Sequence, residues 1–278
     1  MSWRNSICMY AGVPSCPDVN SLVCAAPTAP RSAIDSFYAA TNVTLTRVDP
    51  NYFAQYGDDF AGLLLVGLIS STENYYRDII GFILDVCPSS RAWAADEKVQ
   101  LGSLLWARGA LQNRSALEFM AFSSADNIKK TLNCFTNYVV KQHGDFNKLL
   151  NEYDKLCELR HAAVHSGHIV AGKNAIKLGL RPTSDPLRVK LGYAEIQSAG
   201  SICTALVQAA NNELYEEMIK RWATEWRSLP SWDALVEAQT LEVIHKAFYS
   251  DRDSINGSIP NVISITDLLA AIKLDFQI

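Results

Sequence analysis

The chain has 278 residues, of which 49% are hydrophobic and 19% are charged, and its net charge at pH 7 is -4. This is the composition of a globular protein with a sizeable core, and it excludes collagen-like and mostly disordered chains. A mildly acidic protein is also a poor candidate for bulk electrostatic binding to nucleic acid.

The charge is uneven along the chain. Residues 101–200 carry 13 basic and 8 acidic residues, whereas residues 1–100 and 201–278 are both acidic. An anionic ligand is therefore best tolerated in the middle third. The longest apolar run, residues 60–69, is too short for a bilayer span of roughly 20 residues. No signal peptide is visible, and seven cysteines without clustered spacing indicate free thiols, so we expect a cytoplasmic protein without a membrane partner.

Helical periodicity dominates the chain from residue 58 onward. Residues 1–57 are predicted to form a loop-rich leader with a short strand over residues 43–48, where β-branched residues alternate. Residues 58–86 predict a long helix that Pro88 stops. Further helices are predicted over about 96–121, 124–142, 145–166, 193–226, 232–248 and 265–274.

In residues 174–180 and 187–191, apolar and polar residues alternate with a period of two. The two stretches flank a turn and predict a small β-hairpin. The sequence therefore predicts a mainly α protein, a four- or five-helix bundle with a small β-hairpin and flanking N- and C-terminal segments. We expect three parts: a leader over 1–57, a helical domain over 58–227 and a C-terminal helical extension over 228–278.

The end of the helix predicted over 145–166 is the most unusual segment, because Arg160, His161 and His165 lie there. Arg160 falls on the apolar stripe of this helix, where an arginine is costly unless an anion or a partner uses it. His161 and His165 are four residues apart and share one face. Arg160 and His165 are about 140° apart around an ideal helix. They converge on one ligand only if the helix end distorts or a second copy of the motif faces the first.

These residue types suit RNA cleavage without a metal. The ribose 2′-OH attacks the adjacent phosphate, a histidine takes its proton, and another acid protonates the leaving 5′-oxygen. A forked guanidinium suits the charge that builds on the phosphoryl oxygens. One chain supplies both histidines, or a twofold dimer supplies Arg160 and His165 twice in one cleft.

The segment Arg160-His161-Ala162-Ala163-Val164-His165 resembles the Arg-polar-x-x-x-His motif of the HEPN superfamily of RNase and nucleotide-binding domains. The motif stands at a helix end, and an earlier helix carries Glu73 and Arg77, as in many such domains. The resemblance covers about residues 58–226. It implies a HEPN-like bundle, a homodimer with a composite site and metal-independent endoribonuclease activity, often in toxin–antitoxin or anti-phage defence systems, with no cofactor.

Carried onto this sequence, the resemblance makes Arg160 and His165 the catalytic pair and His161 their polar assistant. In HEPN-like domains the helix of Glu73 and Arg77 packs near the motif, which implies a contact of this pair with RNA; a surface salt bridge is the alternative. Ser166-Gly167 follow the motif, so the tyrosine that marks one toxin branch two residues after the histidine is absent. The protein is therefore not placed in that branch, and an antitoxin or a sensor protein both stay open as partners.

Other interpretations compete with the nuclease. Lys173 and Lys177 either contact RNA phosphates or belong to a solvated face. Arg160 and His165 could instead serve the helix end itself, where cationic side chains bind the last free carbonyls and interact favourably with the helix dipole. A metal site at Cys157, His161, His165 and His168 is disfavoured, because eleven helical residues span about 16 Å, and no metal is expected. A non-catalytic HEPN-like module that binds RNA, a nucleotide or a protein is the alternative function, and a purely structural helical protein is the third.

Overall fold

A computed structural model of the chain describes residues 12–24, 31–46, 49–106 and 109–278. Residues 12–24 belong to a separate unit, in which Val19–Leu22 form a single 3-10 turn and every side chain is exposed. The α-helices of the described residues are α1 (Ala33–Thr46), α2 (Pro50–Val86), α3 (Pro88–Ala94), α4 (Leu101–Trp106), α5 (Gln112–Ser115), α6 (Ala125–Thr136), α7 (Asp145–His165), α8 (Gly172–Lys177), α9 (Tyr193–Thr224), α10 (Glu237–Phe248), α11 (Asp251–Ile255) and α12 (Ile265–Phe276).

Residues 31–278 form one compact unit around the two long helices α2 and α9. Helix α7 packs against both of them, and α1 covers α2 and α9 on another side. Fully buried side chains of all three central helices, among them Tyr76, Tyr153 and Leu206, fill the core. The unit also includes α10 and α12, which pack on α9. Helix α1 of the predicted leader and helices α10 and α12 of the predicted C-terminal extension therefore all contact helices of residues 58–227. The predicted mainly α class is confirmed.

Helix α2 contains a break at Gly57, whose φ of 66° and ψ of -157° leave the helical region. Glycine adopts this positive φ without the clash that a Cβ would cause. Helical backbone resumes at Asp58, which is the helix start that the sequence predicts. The helix ends before Cys87, and Pro88 begins α3, as a proline at the first helical position does.

The predicted β-hairpin is wrong. Residues 174–177 of its first arm lie in α8, where Asn174 Nδ2 donates to the Glu158 carbonyl and fixes the short helix against α7. Residues 187–191 form no strand either: the described residues contain only an isolated antiparallel bridge between Ile169 and Arg188. Backbone bonds from Val170 N to Leu187 O and from Val189 N to His168 O, both 2.8 Å, hold this bridge.

Other predicted elements also differ. The helix predicted over 124–142 is α6, which ends at Thr136 because Asn137 adopts a left-handed conformation. Residues 43–46 of the predicted strand form the last turn of α1, because burial of Phe37, Tyr38 and Thr41 outweighs the β-branched pattern; residues 47 and 48 lie outside the described residues. The single helix predicted over 96–121 is replaced by α4, α5 and turns in the described part of this range, which leaves out residues 107 and 108. Among the described residues, none of the helices has the length and apolarity that a membrane span requires.

Candidate active site at the end of helix α7

Helix α7 carries Arg160, His161 and His165 on its last two turns. The helix buries Phe146, Leu150 and other apolar side chains against α2 and α9, which fixes its rotation about its own axis. It stays regular through His165. The chain then leaves the helix through two left-handed residues, Gly167 at φ 56° and His168 at φ 67°. The distortion therefore lies after the motif and does not turn Arg160 towards His165.

Arg160 is half-buried, and its Nε is shielded from solvent without a hydrogen-bond partner. The other arginines that the described part of the chain buries partly or fully are all engaged: Arg77 with Glu73, Arg114 with Asp78, Arg221 with Glu217 and Arg227 with Glu237. Arg160 alone among them forms neither an ion pair nor a hydrogen bond within the described residues. Because a guanidinium loses hydration on burial, this arginine is available to an anion.

His161 and His165 are exposed neighbours on one face of α7. Their ring centroids are 4.8 Å apart, and the rings are tilted by 47°. The predicted shared face is thus confirmed. Since the helix is intact through His165, about 140° of helical rotation separates Arg160 from His165 within one chain. Both imidazoles are open to a ligand that approaches from solvent.

His168 holds the end of α7 against α2, a role that the sequence did not indicate. Its Nδ1 lies 3.2 Å from Asp59 Oδ1, and Arg188 Nη2 donates to the same oxygen at 3.3 Å. A Cβ added at Gly62 would lie 2.8 Å from His168 Nε2, so the imidazole packs directly on the backbone of α2. The sequence signal that could have indicated this contact is a Gly167-His168 pair after one helix together with two acids, Asp58 and Asp59, at the start of another.

Glu73 and Arg77 form the predicted i,i+4 pair, at 3.2 Å between Arg77 Nη2 and Glu73 Oε2. The same nitrogen also donates to the Met120 carbonyl at 3.0 Å, and the guanidinium stacks over Phe122. Both charged side chains are less than one fifth exposed. The pair therefore fastens the segment around residue 120 to α2, and its contact with RNA stays a prediction.

Lys173 and Lys177 lie on α8 beside the end of α7, and both are exposed. Lys177 pairs with Glu158 of α7, and this ion pair raises the pKa of the lysine. Lys173 has no hydrogen-bond or ion-pair partner among the described residues, so of the two it is the freer cation for a phosphate.

The four residues considered as metal ligands do not converge. Cys157 is buried on the core side of α7, and burial raises the pKa of its thiol well above the usual range. His168 turns towards α2, whereas His161 and His165 face solvent. Within the described ranges, no group of three or more histidine, cysteine or acidic side chains is placed to hold a metal ion.

A groove of about 550 Å³ runs beside α7, between α9 and residues 187–191. Leu156 and Leu159 line it from α7, but Arg160, His161 and His165 do not. The motif therefore lies on an open surface of the single chain, next to the groove rather than inside it. An enclosed site at the motif requires a second wall.

No family model matches the sequence, and neither a curated protein nor a solved structure matches the chain.

Proposed function

We propose that the protein is a HEPN-like, metal-independent endoribonuclease that acts as a homodimer. The observation that carries the proposal is the unpartnered, half-buried Arg160 next to the exposed pair His161 and His165. A charge-assisted, forked interaction with a phosphate would satisfy this guanidinium, and RNA supplies phosphates beside a reactive 2′-OH. The surplus of basic residues in the middle third of the sequence favours the same ligand.

The chemistry needs a base, an acid and a cation in one place. In the proposed reaction, His165 removes the proton from the 2′-OH, whose oxygen then attacks the adjacent phosphorus. Arg160 stabilises the charge on the non-bridging oxygens, and a protonated histidine gives its proton to the leaving 5′-oxygen. The products are a 2′,3′-cyclic phosphate and a 5′-hydroxyl. His161, which contacts His165, assists as the polar neighbour.

The angular separation within one chain supports the proposed dimer. Because α7 is regular through His165, Arg160 and His165 of one copy diverge, whereas a twofold axis near the motif would bring one copy's arginine opposite the other's histidine. The surface around the motif also exposes apolar side chains: Val164 is 47% exposed and Ile169 is 48% exposed. A facing copy would cover them and enclose the site. An antitoxin or sensor partner and a role in defence rest on the family resemblance alone.

The test is cleavage of single-stranded RNA by the purified chain in the presence of EDTA. We expect Arg160→Ala and His165→Ala each to lower the cleavage rate at least about 100-fold while the dimer persists, because each removes a group that acts in the transition state. His143→Ala is the matched control, since His143 is an exposed histidine outside the motif, and it should keep full activity.

Full activity in either motif variant contradicts the proposal, and so does wild-type activity that EDTA abolishes. RNA binding without turnover by the wild type would instead support the non-catalytic module.

A further inference from the structure

A second candidate site lies away from the motif. A cavity of about 430 Å³ opens between α9, α10 and the segment that follows α11, and Arg160, His161 and His165 do not line it. A volume of this size is in the range of small-molecule sites. The cavity combines aromatic rings with a few polar groups, which is the usual composition of a ligand pocket.

Four aromatic rings form one contiguous cluster in the lining of this cavity. Tyr215 and Phe248 have ring centroids 5.5 Å apart, and those of His245 and Tyr249 are 5.1 Å apart. The rings are tilted by 48° and by 42° within these pairs, so the cluster presents both ring faces and ring edges. An aromatic ligand therefore gains ring–ring contacts in this cavity that an aliphatic ligand lacks.

Asp253 contributes a carboxylate to the lining of the cavity. Its Oδ2 accepts from Tyr38 Oη at 2.9 Å, while Oδ1 has no partner among the described residues. The Asp253 backbone is held at both ends, because its N donates to Ser250 Oγ at 3.0 Å and its O accepts from Ser258 N at 2.8 Å. No lysine or arginine lines the cavity. The free carboxylate oxygen therefore favours a ligand with a neutral or cationic N–H donor and disfavours an anionic ligand.

His245 and Asn212 supply further hydrogen-bonding groups. His245 Nδ1 lies 3.2 Å from Tyr215 Oη, and burial lowers the pKa of His245, so the ring is neutral at pH 7. With the tyrosine as donor, the His245 Nε2–H is left without an acceptor in the described part of the chain. Asn212 is exposed and has no hydrogen bond among the described residues. A ligand with both donors and acceptors on a flat ring satisfies these groups together.

We propose that this cavity binds an aminated heteroaromatic ring of the nucleobase class. The ring packs against the aromatic cluster, its exocyclic amino group donates to Asp253 Oδ1, and a ring nitrogen or carbonyl accepts from His245. A site built around a hydrogen bond discriminates strongly against an analogue that lacks it, because the protein group is then left buried and unpaired.

The test is calorimetric titration of the full chain with adenosine and with purine riboside, in which a hydrogen replaces the amino group of adenosine. We expect saturable binding of adenosine with a dissociation constant of about 0.1 mM, as ligands of this size reach, and at least about tenfold weaker binding of purine riboside. Equal affinity for the two nucleosides, or no saturation by adenosine below about 1 mM, overturns the proposal.

Three variants locate the ligand. Ser258→Trp introduces a large side chain at an exposed position of the lining and should abolish adenosine binding, whereas Ser184→Trp, at an exposed serine of another loop, should not. Unchanged thermal unfolding of both variants shows that the fold is intact. His165→Ala should bind adenosine like the wild type. Loss of binding in His165→Ala, or its persistence in Ser258→Trp, would place the ligand elsewhere and overturn the proposal independently of the nuclease.

Discussion

Two arginines of the same fold show how partners decide what a buried charge does. Arg221 is 4% exposed, and its guanidinium reaches Glu217 at 2.8 Å and the Thr136 carbonyl at 2.6 Å, so it joins α9 to the end of α6. Arg160 is half-buried and lacks any such contact. The first arginine is therefore a structural link, while the second is free to bind a ligand. Sequence alone does not separate the two, because both stand on helices with apolar neighbours.

Replacing Arg221 by methionine should lower the free energy of unfolding by about 3 kcal/mol or more, because the change leaves buried acceptors without a donor. Lys220→Met is the matched control on the same helix. Lys220 lies 4.0 Å from the same Glu217 but is 63% exposed, so its loss should change stability by less than about 1 kcal/mol. Urea unfolding measures both, and equal effects of the two variants would refute the structural role of Arg221.

At the scale of elements, the helices with clear end signals were predictable. Ser124 caps α6 through a bond from Asn127 N, and Ser264 caps α12 through a bond from Asp267 N, as the sequence indicates. Helices α7 and α9 follow from apolar periodicity with glycine or proline at their ends. Local chemistry determines these boundaries, so no tertiary information was needed.

Elements that depend on tertiary contacts were not predictable. Residues 174–180 alternate like a strand, yet α8 forms there because Asn174 and Lys177 both bind Glu158 of α7. Likewise, the β-branched residues after Thr41 belong to the last turn of α1, because that helix buries its apolar face on α2 and α9. A pattern of a few residues decides between helix and strand only weakly when packing favours the other state.

The approach of α7 to α2 gives an element-scale prediction. Gly62→Ala should lower the free energy of unfolding by about 1–3 kcal/mol, because the new Cβ would lie 2.8 Å from His168 Nε2 and displace the imidazole from Asp59.

Gly67→Ala on the same helix is the control. Its Cβ would meet only Thr44 Oγ1 at 3.7 Å, and the gain in helix propensity should raise stability by about 0.5–1 kcal/mol. Chemical denaturation compares the two variants, and a stabilised Gly62→Ala would refute the close packing of His168 on α2.

At the scale of the whole molecule, a site whose residues lie on one segment can be predicted from the sequence, whereas a site built from several segments cannot. The motif residues lie on one helix, so their spacing showed Arg160, His161 and His165 in the sequence. Asp59 and His168 meet only after α7 docks on α2. Asp253 and His245 lie on the neighbouring helices α11 and α10, and they line one cavity with residues of α9 only in the folded chain. The charge agrees with this division, since the basic middle third contains the motif and the acidic last third contains Asp253.

The central claim is that two chains share one RNA-cleaving site, and subunit mixing tests it most directly. Arg160→Ala and His165→Ala are each prepared as inactive homodimers, mixed to exchange subunits, and assayed for RNA cleavage in EDTA. A mixed dimer keeps one intact arginine opposite one intact histidine, so we expect activity that neither variant has alone. Mixed dimers that form but remain as inactive as the two parents would contradict the shared site.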